Sequence, residues 1–300
     1  MERRCDCARN GLFLGRKMIR KLAIRGYRGF QHLEMAGLEQ VNLLVGMNNS
    51  GKTAFLEAVE LVAGGGSRFE QLWKTLARRG EWFPDEHDKP ARAAELDVSQ
   101  LFFGRSISTG SSFAIEANDE EGKKRVLARI EAAESSREQL LYEEEIRGLP
   151  LEMVIESADL GERVAIPLTS RGGLRKRTVL GSDQRIMMNE EEPSVTFMTT
   201  DSLTAATAAE YWKAIVLTDE EQLVVDALRI LDDRIMRLAF VGSSRYDRGS
   251  KGGLLVKYEG ADRPIPIGSL GEGMWRLFSI AVALISARGG VLLVDEIDTG

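Results

Sequence analysis

The residues Gly46-Met47-Asn48-Asn49-Ser50-Gly51-Lys52-Thr53 carry the spacing G-x-x-x-x-G-K-[ST]. Glycines at those positions let the backbone fold tightly enough to aim several N–H groups at phosphate oxygens. A lysine there adds positive charge at the β- and γ-phosphates, and the following hydroxyl can reach Mg²⁺. Gly46, Asn48, Asn49, Ser50, Gly51, Lys52, Thr53 and Ala54 are therefore the expected phosphate-binding residues. A second group lies near the other end, where the apolar run Val291–Val294 leads into Asp295 and Glu296. At the end of a buried strand, Asp295 is expected to join Thr53 around Mg²⁺, and Glu296 to polarise an attacking water. Each feature alone has an ordinary explanation, a glycine-rich helix cap and an acidic strand end. Together they point to nucleoside-triphosphate chemistry, with Lys52 and Glu296 as the residues that act on the reacting groups.

The surrounding elements suit that task. The segment "VNLLVG" before the loop reads as a strand buried on both faces, and "KTAFLEAVELVAG" after it as a helix stopped by glycine. Upstream, "MIRKLAIRGYRGF" and "QHLEMAG" alternate as strands. Residues 64–112 read as irregular with short helices such as "RFEQLWKTLARRG", and Trp73, Trp82 and Phe83 read as core. Residues 113–181 read as strand-rich, through "FAIEAN", "KKRVLARIEAA", "LEMVIES" and "ERVAIPL". The acidic runs at 119–121 and 143–145 read as solvated surface, and the basic run "RGGLRKRTVLGSDQR" as an exposed loop. "TDEEQLVVDALRILDDRIMRL" has a capping box from Thr218 to Glu221 and helical spacing after it. "RLAFVG" and "GGLLVKYEG" read as strands. "IGSLGEGMWRLFSIAVALISARGG" reads as a Gly-rich turn feeding a long apolar helix.

Bulk properties exclude several classes. The 300 residues are 43% hydrophobic and carry a net charge of −6, so nothing global calls for nucleic acid or an anionic membrane. No apolar run reaches the roughly 18 residues a membrane span needs. The two cysteines, Cys5 and Cys7, offer too few ligands for structural zinc, and neither His32 nor His87 completes a ligand spacing with them. Residues 1–17 read as a disordered extension outside the fold, with Met18 an alternative start. A reducing, cytoplasmic location follows.

"IGSLGEGMWRLFSIAVAL" resembles the signature segment of ABC-type ATPases, with Ser269, Gly271 and Glu272 where those proteins carry Ser-x-Gly-Glu/Gln. Leu270 stands where a glycine is usual. The opening "LAIRGYRGFQHLEMAGLEQVNLLVGMNNSGKTAFLEAVELVAGG" resembles the RecF-like, SMC-like and OLD-like ATPase heads, and "GGVLLVDEIDTG" is similar to OLD-like proteins labelled as AAA-type. The resemblance covers most of 18–300 and is most specific at 41–63 and 265–300.

The resemblance implies an α/β P-loop fold of the ABC-ATPase type, a mixed sheet with an antiparallel β-rich lobe. Residues 18–300 would be one ATPase domain, divided into 18–63, an inserted lobe at 64–240, and 241–300. It implies ATP and Mg²⁺ as cofactors. It also implies a homodimer sandwiching ATP between the loop of one subunit and Ser269, Gly271 and Glu272 of the other. A DNA-linked or antiphage-defence role, possible contact with DNA and a nuclease partner, and no membrane partner, come with it. Gln100 is the candidate for the glutamine such heads place near the γ-phosphate. Their strand and histidine beyond the acidic pair have no counterpart here, so the chain is expected to be cut short after Gly300. The alternative is a nucleotide-binding module without turnover. Transporter coupling ranks third.

Overall fold

The computed structural model describes residues 18–64, 68–83, 94–120, 122–133, 151–157, 161–175, 195–241 and 253–297. Expectations for residues 1–17, with Cys5 and Cys7, and for His87, 143–145 and 176–185 lie outside the described residues. In chain order the elements are β1 (Lys21–Tyr27), β2 (Phe30–Ala36), α1 (Lys52–Ala63), α2 (Arg68–Arg78), β3 (Glu95–Asp97), β4 (Ser112–Asp119), β5 (Gly122–Ala132), β6 (Leu151–Ser157), β7 (Glu162–Pro167), β8 (Gly173–Arg175), β9 (Val195–Met198), α3 (Ala205–Ile215), α4 (Asp219–Arg229), β10 (Ile235–Phe240), β11 (Leu254–Tyr258), β12 (Ile265–Pro266), α5 (Glu272–Ser286) and β13 (Val291–Val294).

Alternation builds the largest sheet. Its order is β2-β1-β4-β5-β6-β7, every pair antiparallel. Leu22, Ile24, Ile115, Val126 and Ile155 turn inward and are almost fully buried. Successive side chains point to opposite faces, so the residues between them carry a ladder of exposed pairs such as Lys21–Glu34 and Arg125–Glu116. The inner face packs on α1 and α2, through Phe55, Leu61, Val62, Leu72 and Leu76. A second core joins α3, α4 and α5 to β10 and β11, around Trp212, Val224, Leu228, Val256, Trp275 and Phe278.

Between the two cores run β13 and β9, paired in parallel from Val291↔Val195 to Val294↔Met198. Leu293, Val291 and Phe197 face the first core, while Leu292, Val294 and Met198 face the second. That two-sided burial is why "VLLV" has no polar alternation. The architecture is mixed α/β, with an antiparallel β-rich lobe beside a parallel pair.

Four expectations need correction. "VNLLVG" is not a strand: residues 42–47 make no ladder bonds among the described residues, and Val41, Leu43, Val45 and Met47 are all strongly exposed. An apolar run becomes a buried strand only when neighbours pair with its N–H and C=O groups, and no described strand does so here. Asp119 is not solvated: its side chain is 2% exposed, accepts from Gly122 N and pairs with Lys124 across the β4–β5 turn. The first part of the basic run is strand, not loop, since β8 pairs with β3 and Arg175 binds Glu95. The helix opened at Thr218 ends at Arg229, and "IMRL" begins β10. Its cap is also shifted, with Thr218 accepting from Glu220 N and Glu221 from Leu217 N.

Candidate functional site

The phosphate loop enters α1 without a side-chain cap. Gly51 takes φ +95° at the N-cap and Asn49 φ +62°, which turns the chain sharply before Lys52 opens the helix. A side chain at 51 would be strained by that φ, and its Cβ would lie 2.7 Å from the Phe30 ring. No acidic residue of α1 itself sits in its first turn, and the negative group that meets this positive end of the dipole, Asp295, comes from β13. Met47, Asn48, Asn49 and Ser50 are exposed, whereas Ala54 is buried against the core. Lys52 Nζ donates to the carbonyls of Gly46 at 2.8 Å and Met47 at 3.0 Å, so its ammonium lies over the loop.

β13 delivers the carboxylates. Asp295 N extends the ladder by donating to Met198 O at 2.9 Å. Thr53 Oγ1 donates to Asp295 Oδ2, also at 2.9 Å, which joins α1 to the strand end across the chain. The next residue, Glu296, has φ +47° and is exposed. A non-glycine residue in that left-handed region costs on the order of 1–3 kcal/mol and persists where its surroundings hold it.

The other expected residues sit apart. Ser269 lies in a 3-10 turn at Ile267–Leu270, Gly271 has φ +96°, and Glu272 opens α5; all three are exposed. Gln100 donates its amide to Asp97 at 2.8 Å and its carbonyl accepts from Arg28, which places it beside the β1–β2 turn. A concavity of 1820 Å³ opens between α3, α4 and the β10–β11 pair, and no residue of the phosphate loop lines it.

Three arginines are buried among the described residues, and none was picked out by sequence reasoning: Arg28, Arg276 and Arg68, the last donating to Gly64 O, Ser157 Oγ and Gln71 Oε1 at the start of α2. Arg28, in the β1–β2 turn, bonds Glu81 through both terminal nitrogens and Glu57 through Nε at 2.7 Å; Glu57 also takes Arg79. Burial lifts the Glu57 carboxyl above its ordinary range, opposed by the guanidinium groups of Arg28 and Arg79. Burial likewise pushes the neighbouring Tyr27 hydroxyl well above its usual value. Arg276, on α5, instead binds backbone carbonyls at the ends of β9 and β13. An arginine set among Met274, Trp275, Leu277 and Phe278 on an otherwise apolar helix was the signal available for it.

Among the described residues, no group of three or more His, Cys, Asp or Glu could hold a metal ion, and no helix is long and apolar enough to cross a membrane. The Thr53 hydroxyl and Asp295 carboxylate are nonetheless hard oxygen donors. They suit Mg²⁺, which takes one or two protein ligands and completes its shell with phosphate oxygens and water.

Over 49 residues the chain is 47% identical to the DNA replication and repair protein RecF of Nitrosococcus oceani, covering 16% of this chain and 14% of that protein. Over 112 residues it is 34% identical to the uncharacterized protein MJECL10 of Methanocaldococcus jannaschii, covering 35% of this chain and 46% of that one. It therefore spans less than half the length of the curated relatives it matches. A solved structure titled "Structure of the recombination mediator protein RecF-ATP in RecFOR pathway" aligns at a TM-score of 0.39 and 11% identity, over 94% of this chain and 85% of that one. Residues 41–300, which take in the phosphate loop, the turn before α5 and the acidic pair together, match "AAA domain, putative AbiEii toxin, Type IV TA system", and the chain belongs to that family.

Proposed function

We propose that the chain binds ATP with Mg²⁺ and hydrolyses it to ADP and phosphate. The observation that carries this reading is the 2.9 Å bond from Thr53 Oγ1 to Asp295 Oδ2, between residues 242 positions apart. It brings a hydroxyl and a carboxylate together where the phosphate loop meets a strand end. Lys52 would exchange the carbonyls of Gly46 and Met47 for β- and γ-phosphate oxygens, while N–H groups between Asn48 and Ala54 take the remaining phosphate oxygens. Bound Mg²⁺ would neutralise charge building on the phosphates. Glu296, one residue beyond the Mg²⁺ carboxylate, would accept hydrogen from the attacking water and orient it in line with the γ-phosphate.

The exposed turn of Ser269, Gly271 and Glu272 would meet the γ-phosphate held by a second copy, using the N-terminal end of α5. The site would then be complete only in an ATP-bridged homodimer, a switch that ATP binding closes and hydrolysis opens. Residues 18–300 would act as one such domain, in the cytoplasm. The name of one relative, a DNA replication and repair protein, supports a DNA-linked role. The OLD-like reading adds antiphage defence and a nuclease partner.

Glu296→Gln should bind ATP as the parent does, turn it over about 100-fold more slowly, and elute as a dimer with ATP. Hydrolysis by this variant at the parent rate removes Glu296 from its role. A second reading, a nucleotide-binding module without turnover, is favoured by the exposed apolar chain at 41–47, which leaves the loop without a strand behind it. Mg²⁺-dependent hydrolysis that Lys52→Ala abolishes would eliminate it. Absence of binding to single- or double-stranded DNA at low salt would remove the DNA-linked role.

A further inference from the structure

Arg276 is 4% exposed and sits in the second turn of α5, behind the acidic pair. One terminal nitrogen of its guanidinium donates to Thr199 O at 2.6 Å, Thr200 O at 3.0 Å and Ser202 Oγ at 3.3 Å. The other donates to Asp295 O at 2.9 Å and Glu296 O at 3.2 Å. Its acceptors among the described residues are thus four carbonyls and a hydroxyl. They lie just past the ends of two parallel strands, where both chains turn through left-handed residues, Ser202 at φ +62° and Glu296 at φ +47°.

We infer that Arg276 is a positioning residue: its fork holds the left-handed turn at Glu296 and so aims the Glu296 carboxylate. This rests on the ATPase reading above. The physical case has three parts. A guanidinium is planar and presents donors in a fixed fork, so it can span two strand ends that one ammonium cannot. A buried cation costs several kcal/mol to desolvate and persists where enough dipoles surround it; here those dipoles belong to the backbone that carries the carboxylates. Finally, the left-handed Glu296 needs something to hold it, and Arg276 meets its carbonyl directly. Because Arg276 and the turn at Ser269–Glu272 share the rigid start of α5, a shift of that turn would also be felt at Glu296.

The test uses the full chain with Mg²⁺ and ATP, comparing Arg276→Lys, Glu296→Gln and the double variant. Arg276→Lys keeps the stem and the charge but loses the fork. It is expected to lower kcat by roughly 10- to 100-fold, the scale of an ångström-sized misplacement, with the Kd for ATP within about threefold of the parent. In the Glu296→Gln background the same change should lower the residual rate no further, since the carboxylate it aims is already gone. A loss of equal size in both backgrounds, or a kcat equal to the parent's, overturns the proposal. If Glu296→Gln itself hydrolyses ATP at the parent rate, the ATPase reading fails, and this inference with it; if Glu296→Gln is slow and Arg276→Lys is not, only the role of Arg276 fails. Should the lysine variant not fold, Arg276→Gln, which keeps a planar donor, takes its place. A readout independent of turnover is amide hydrogen exchange without nucleotide. The amides of Glu296 and Ile297 should exchange at least 10-fold faster in Arg276→Lys, with Leu292 and Leu293 unchanged; equal protection at 296–297 contradicts the proposal.

Discussion

Arg28 and Arg276, two of the three buried arginines, face different chemistry. Arg28 is held mainly by the Glu57 and Glu81 carboxylates, with the Tyr27 phenol and one carbonyl, that of Gln100, whereas Arg276 is held by four carbonyls and one hydroxyl. In the first centre charge meets charge: the Glu57 side chain is fully buried between Arg28 and Arg79, and Arg78, next in α2, reaches back to Glu60 and lies over the Phe197 ring at 3.7 Å. That centre locks α1 and the end of α2 to the β1–β2 turn. In the second, a cation collects carbonyl dipoles and so fixes the path of a chain rather than the packing of elements. Loss of a partner should therefore appear as lost stability at Arg28 and as lost geometry at Arg276.

Glu57→Ala tests the first half of that contrast and should have the largest effect on stability. It leaves Arg28 buried with one carboxylate fewer, while Arg79, one-third exposed, can turn to solvent. Breaking a buried pair costs about 3–5 kcal/mol, and the relief available to Arg79 puts the expectation near the lower figure. Urea unfolding should show the midpoint falling with m unchanged, and turnover per folded molecule should change little. A loss below about 1 kcal/mol, the range of surface pairs, would mean that the Arg28 centre is not the lock described, and the contrast would collapse.

Gly51→Ala asks how closely the Arg28 turn is tied to the phosphate loop. Phe30 belongs to that turn, and its ring lies where a Cβ at 51 would go. Strain at φ +95° and the ring contact should cost about 1–3 kcal/mol and weaken ATP binding with it. Gly46→Ala is the control. Its Cβ would meet the Ser50 hydroxyl, the movable end of a small side chain, and its φ lies outside the left-handed region. Equal effects from the two changes would show that the loop, and not the turn beneath it, sets the cost.

Much of this frame was legible in the sequence, for identifiable reasons. Most of the six-stranded sheet has one wet face, so alternation spelled out β1, β2, β4, β5 and β7, while clustered β formers marked β6, where Met153, Val154 and Ile155 are all buried. β13 packs against a core on each face and sits in a plain apolar run. The same logic misread "VNLLVG", because an apolar run records what a segment would bury but not whether a neighbour is there to pair with it. β9 is four residues long, and α3 is alanine-rich with a weak apolar stripe, so neither stood out. The Thr204 cap on Thr207 N was the available sign for α3. Thr53 and Asp295 follow from motif spacing, and the fold sets them in contact. Arg276 does not, since its partners are backbone carbonyls and no residue pattern encodes where those converge. An acidic run reads as surface whether or not its first member turns inward, which hides Asp119.

The smallest effect belongs to an exposed arginine, which has neither the burial of Arg28 nor the convergent carbonyls of Arg276. Arg288, just past α5, reaches the Glu220 carboxylate at 2.7 Å at the start of α4, with both groups partly in water. A hydrogen bond from the Thr218 hydroxyl, then the Glu220 backbone N–H and Arg288, hold that carboxyl down to about 2, against an ordinary value of 4.5. A carboxyl lowered on folding adds stability that is in place above its unfolded value and disappears as pH falls through the window from 4.5 toward 2. Glu220→Gln should therefore melt slightly below the parent at pH 7, and the gap should narrow between pH 5 and pH 3.5. Calorimetry across that range checks it. A gap that stays constant would show that Glu220 acts through its shape and hydrogen bonds and not its charge. A gap as large as that of Glu57→Ala would show that burial is not what separates the strong centres from the weak one.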